Sequence, residues 1–103
     1  MNAAVRKPMY QALPKGCYID YSSIAGQGIF AKEDIPDNTF LGMSHLLLGE
    51  VIYRTPLGGF INHSEDPNCL KYFDDGFYFI RTKKAIKSGE ELFLKYTFYE
   101  ITS

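Results

Sequence analysis

The stretch Phe60-Ile61-Asn62-His63-Ser64-Glu65-Asp66-Pro67-Asn68-Cys69 decides how this chain is read. An apolar lead-in runs into a concentration of polar side chains, and a proline fixes the exit. A loop of this composition can present its Asn and His inward, toward a ligand. The plainer reading of the same ten residues is an Asx-type turn with one surface histidine.

The residues downstream supply local structure. Asp75-Gly76 stands between two aromatic runs, Lys71-Tyr72-Phe73 and Phe77-Tyr78-Phe79. This predicts a tight hairpin, because a type I′ turn needs positive φ and Gly tolerates it. Further on, Ala85-Ile86-Lys87-Ser88-Gly89-Glu90-Glu91-Leu92-Phe93-Leu94-Lys95-Tyr96 reads as a turn entering a strand that ends on a tyrosine. Strict alternation puts Leu92, Leu94 and Tyr96 on one face, with Phe93 and Lys95 on the other. Upstream, Ile24-Ala25-Gly26-Gln27-Gly28-Ile29-Phe30 sets two glycines around one residue just before a strand. Such a turn brings backbone amides close to a ligand and can cradle a carboxylate or an adenosyl tail. The dinucleotide fingerprint would need a third Gly and a following helix, and the sequence has neither.

Frequent Gly, Pro, Asn and Asp divide the rest into segments that suit strands better than helices. Strands are predicted at Gly16 to Tyr21, Gly28 to Ala31, Thr39 to Leu48, Leu70 to Phe73, Phe77 to Arg81 and Glu91 to Tyr96. With 103 residues there is room for a single domain, residues 1–103, with one core. Eight Tyr and eight Phe, with no Trp, lean the reading toward β, since aromatics favour strands and supply much core area per residue.

A net charge of −1 argues against direct nucleic-acid binding, which needs a clustered excess of Lys and Arg. The basic cluster Lys83, Lys84 and Lys87 reads as a solvated turn. Cys17 and Cys69 are too few for a disulfide framework, and no Cys/His spacing matches a zinc site, so a reducing, cytoplasmic setting without metal is expected. Met1 to Lys15 has no apolar stretch suited to a signal peptide, and no run is long enough to cross a bilayer, so neither secretion nor a membrane partner is expected.

Taken together and in this order, the three motifs resemble the SET-domain family of protein lysine methyltransferases. Gly-x-Gly appears at Gly26 to Gly28 with Phe30-Ala31 behind it. Asn-His-Ser-x-x-Pro-Asn-Cys runs from Asn62 to Cys69, and Gly-Glu-Glu-Leu-x-x-x-Tyr from Gly89 to Tyr96. The resemblance covers roughly residues 17–99, with 1–15 as an N-terminal extension, and minimal viral and bacterial members look most similar.

It implies a mainly β fold, the SET-domain β-clip of short twisted sheets, closed by a C-terminal pseudoknot. It also implies S-adenosylmethionine as cofactor, held by Asn62, His63 and the backbone around Gly26, Gln27 and Gly28, and Tyr96 as the catalytic residue. The partner it implies is a protein or peptide bearing a lysine. That lysine must be neutral to attack, although its ordinary pKa is about 10.4. Desolvation in a narrow aromatic channel and the nearby sulfonium would both push it down.

The chain also departs from the family pattern. Only about a dozen residues separate the strand ending at Leu48 from Phe60, where relatives carry a longer insert that walls the peptide groove. Seven residues follow Tyr96, so Phe98 and Tyr99 or a second subunit would have to close the lysine channel, and a homodimer is the expectation that follows. Leu94 replaces the aromatic residue common two positions before the tyrosine, which leaves mono- versus trimethylation open. The competing functions are a SET-like module that binds a peptide without modifying it, and a methyltransferase of a small amine.

Overall fold

A computed structural model describes residues 13–24 and 26–96. Its hairpin at Asp75-Gly76 shows how local chemistry sets the architecture. Both residues take positive φ, 49° and 90°, as a two-residue type I′ loop requires. The loop joins β6 (Cys69–Asp74) to β7 (Phe77–Thr82), with Phe73 opposite Tyr78 and Asp74 opposite Phe77.

β7 continues the sheet through β3 (Phe40–Leu48), which pairs in turn with β4 (Val51–Arg54), giving a four-stranded antiparallel sheet in the order β4-β3-β7-β6. β1 (Cys17–Tyr21) and β2 (Gln27–Ala31) form a separate antiparallel pair. The strands expected from sequence are present, with ends shifted by at most one residue except at the last. The mainly β reading holds.

Three elements were not expected. β4 escaped because all four of its residues are exposed, so no alternation marks it, and it exists through its ladder with β3. A short helix, α1 (Pro56–Phe60), is started by Thr55, whose Oγ1 accepts a hydrogen bond from Gly58 N at 3.2 Å, with Pro56 in the first turn. β5 (Asn62–His63) is only two residues long.

β5 pairs in parallel with β8 (Phe93–Leu94), matching Asn62 to Phe93 and His63 to Leu94. The strand expected over Glu91 to Tyr96 is thus shorter as a ladder. Its alternation nevertheless stands, because Leu92 and Leu94 are buried, Tyr96 is half-buried and Lys95 is exposed.

The segment leading into β8 is held on two sides. Ala31 N donates to Glu90 O at 2.9 Å and Leu92 N to Ile29 O at 2.8 Å, which ties it to β2 before it crosses to β5. The loop between β5 and β6 then wraps it. Asn68 Nδ2 donates to Glu91 O at 2.9 Å, Asn68 Oδ1 accepts from Phe93 N at 2.8 Å, and Ser64 N donates to Leu94 O at 2.9 Å. These interlaced segments are the pseudoknot that the family resemblance implies.

The core is aliphatic. Ile29, Leu57, Ile61, Ile80, Ile86 and Leu92 are the large side chains buried almost completely, and among the described residues none of the buried apolar ones is aromatic. The aromatics stack on one another across the sheet instead, as in Tyr72 with Phe79 (5.8 Å between ring centres) and Phe73 with Tyr78 (4.8 Å). Paired in this way, half-exposed rings shelter one another in place of a covering layer. Residues 1–12 and 97–103 lie outside the described residues, and so do most of the N-terminal extension, Phe98 and Tyr99.

Asn68 joins the wrapping loop to two backbone groups of the closing segment, so its loss strands both. Asn68→Ala is expected to destabilise the fold by about 2–4 kcal/mol in urea unfolding. Asn68→Asp, which retains the acceptor for Phe93 N, should lose less.

Candidate active site

The pseudoknot brings the three sequence motifs to one place. β2 carries Gln27 and Gly28 against the closing segment, and a Cβ at residue 28 would run into the Glu91 carboxylate and come within 2.9 Å of Asn62 Nδ2. Glycine is needed there so that this carboxylate and this amide can approach the backbone. Gly26 takes φ 47°, with open space where a side chain would be.

Asn62 Nδ2 donates to Glu91 Oε2 at 2.8 Å and to Gln27 O at 3.2 Å. The other carboxylate oxygen, Glu91 Oε1, accepts from Ser22 Oγ at 2.8 Å. Ser22, Gln27, Asn62 and Glu91 thus form one network beside the glycine turn. Glu91 and Ser22 were missed as site residues. The signal for Glu91 was in the sequence, because alternation turns it away from the buried Leu92.

His63 lies on the other side of β5. Its Nδ1 accepts from Tyr96 N at 2.9 Å, its Nε2 meets Glu65 Oε2 at 2.8 Å, and its ring centre is 5.1 Å from that of Tyr96. With Nδ1 accepting, the proton of a neutral ring sits on Nε2 and points at the carboxylate. That hydrogen bond, and then Lys95 at 3.6 Å, hold the exposed Glu65 carboxyl below its usual range. The Tyr96 hydroxyl donates to Ile61 O at 2.5 Å. Tyr96 is therefore fixed at both ends, and every residue expected at the site, Gly26, Gln27, Gly28, Asn62, His63 and Tyr96, belongs to this region.

Asn62 and His63 use side-chain polar atoms on protein partners. What β5 can offer a ligand is chiefly backbone, since it pairs along one edge in a two-stranded sheet.

A cavity of about 80 Å³ opens beside Tyr96, lined also by Ile61, Leu94, His45, Arg54 and Lys71, with Gly58 and Gly59 of α1 closing it. Tyr96 and His45 are its only ring-bearing lining residues, so the aromatic channel implied by the family is not formed by the described residues. His45 is 7% exposed, and Nδ1 lies 2.9 Å from Ser44 Oγ. Burial first, then Lys71 and Arg54, push its pKa down to about 4. Burial likewise lowers the pKa of Lys71, whose Nζ sits 5.8 Å from the Tyr78 ring centre. The thiols of Cys17 and Cys69 are buried and raised, to about 11 and about 12, which makes them inert packing groups.

The SET-domain family model matches residues 49–97. Among solved structures, a Plasmodium falciparum protein named for histone methyltransferase activity superposes with a TM-score of 0.68 at 21% identity, covering 80% of this chain and 93% of that one. Two inhibitor-bound humanized mutants of Chaetomium thermophilum Polycomb Repressive Complex 2 give TM-scores of 0.67 and 0.65 at 24% and 25% identity, each covering 82% of this chain. The chain spans 15% of the length of those Polycomb chains. No curated protein sequence matches it. The fold is the one seen in these solved structures, and residues 49–97 resemble the SET domain.

His45 provides a pH test of the cavity. Its pKa is about 4 in the folded chain and about 6.5 when unfolded. Between these values the unfolded state binds more protons, so stability falls as pH drops from about 6.5 to about 4, by about 1–3 kcal/mol. His45→Gln should flatten that part of a stability-against-pH curve.

Proposed function

We propose that this chain transfers a methyl group from S-adenosylmethionine to a lysine side chain of a protein. The observation that carries the reading is the joining of Gly26 to Gly28, Asn62-His63 and Tyr96, distant in sequence, in one hydrogen-bonded site.

The donor set suits the cofactor. Glu91 and the Gln27 carbonyl form an acceptor pair bridged by Asn62 Nδ2, a setting that fits an amino group. The open turn at Gly26 leaves space for a ligand against the backbone, and β5 offers backbone donors and acceptors. When bound, S-adenosylmethionine supplies an electrophilic methyl group on a sulfonium.

The chain's own residues orient and select. Tyr96 is locked by Ile61 O and by His63, so its hydroxyl oxygen keeps a fixed position from which to align an incoming amine. Ile61 and Leu94 give the cavity an apolar wall. Arg54 and Lys71 in its wall disfavour another cation there, which favours the neutral, nucleophilic form of a lysine amine. The methyl group goes to the lysine nitrogen, the carbon–sulfur electron pair stays on sulfur, and the proton leaves to solvent.

Two measurements test this. Titration of S-adenosylmethionine into the protein should show binding, and labelled cofactor with a cell lysate should mark a protein on lysine. Binding without transfer would point to a SET-fold binding module, and no binding would overturn the reading. Tyr96→Phe should retain cofactor affinity while losing about 100-fold in turnover; unchanged turnover in that variant would remove Tyr96 from the chemistry.

A further inference from the structure

The cavity beside Tyr96 does not stand alone. A second, of about 330 Å³, runs past Glu65, Lys83 and Lys95 and shares Lys71 and Leu94 with the first as walls. Both lie on the Ile61 side of β5, whereas the Asn62 side chain points to the glycine turn and Glu91. A segment delivering a residue to Tyr96 without displacing the Asn62–Glu91 network would pass along these two hollows.

Their charge is one-sided. Arg54, Lys71, Lys83 and Lys95 line them, against a single carboxylate, Glu65, which is already engaged by His63 at 2.8 Å and Lys95 at 3.6 Å. The chain as a whole carries 11 Lys and Arg against 12 Asp and Glu, so the excess belongs to this surface and not to the protein at large. His45 adds no further positive charge, because it is neutral near pH 7.

On the methyl-transfer reading, we propose that the protein segment accepted at Tyr96 carries Asp and Glu around its target lysine, and that a lysine set among other Lys and Arg residues is a poor substrate.

The physics is complementarity of fields. A basic segment would bring like charges against Lys71, Lys83 and Lys95, which line the same hollow. An acidic segment is steered in and held. An acidic protein segment fits better than a nucleic acid. The cations line two hollows rather than a broad face, and the chain lacks the overall positive charge that phosphate backbones select.

The test uses the full chain and three fluorescent peptides sharing one central lysine, flanked by Asp and Glu, by neutral residues, or by Lys and Arg. Anisotropy should show the acidic peptide binding about tenfold or more tightly than the basic one. Added salt should shrink the difference, and Lys83→Glu should reduce it. Labelled cofactor should show the same order in kcat/KM. Equal or tighter binding of the basic peptide, or no measurable binding of any peptide, overturns the proposal. A single-stranded oligonucleotide that competes as well as the acidic peptide overturns the choice of a protein partner. An intact acidic preference without methyl transfer supports the charge assignment while overturning the methyl-transfer reading.

Discussion

The structure depends on one short parallel pairing, Asn62-His63 against Phe93-Leu94. Two residues on each side are a weak ladder in themselves, and the pairing closes a long loop through the β6–β7 hairpin, an entropic cost that nearby strands avoid. Side chains and burial make up the difference. Asn68 binds two backbone groups of the closing segment, His63 takes the amide of Tyr96, Tyr96 returns a hydrogen bond to Ile61 O, and Leu92 and Leu94 are buried between. The polar residues of the sequence motif are therefore also the fasteners of the topology.

That double use changes how the motif residues act. Asn62 crosslinks the glycine turn to Glu91, and His63 fixes the approach of Tyr96. On the methyl-transfer reading, site geometry and fold stability are coupled at the same atoms. A substitution at Asn62 or His63 loosens the position of Tyr96 as well as the pocket, so loss of activity there does not by itself separate binding from positioning. Tyr96→Phe is cleaner, because it removes one hydroxyl bond and leaves the His63 bond to the Tyr96 amide intact.

Much of this was legible in the sequence because it is written in local chemistry. Asp75-Gly76 demands positive φ, the alternation of Leu92, Leu94 and Tyr96 marks a face, and the three motifs name their own order. The missed parts are non-local. β4 is an exposed edge strand defined only by its neighbour, and β5 is two residues whose strand character comes from a partner thirty-odd positions away. Glu91 reads as the first residue of a strand and part of the closing motif, and its role beside Gly28 and Asn62 shows only in three dimensions. The placement of the aromatics is non-local too, since residue type predicts burial on average, whereas in the four-stranded sheet the rings cover one another on the surface. The cationic hollows formed by Arg54, Lys71, Lys83 and Lys95 draw on four separate segments of the chain, and no window of sequence contains them.

The central claim is spatial: three distant segments make one cofactor site that faces Tyr96. A crystal structure with S-adenosylhomocysteine tests it most directly. The account predicts the ligand against the backbone of Gly26 to Gly28 and of Asn62-His63, with its sulfur turned toward the Tyr96 hydroxyl. A ligand lodged elsewhere, for instance in the hollow beside Gly16 and Leu41, or a Tyr96 hydroxyl turned out to solvent away from residues 62 and 63, would contradict it.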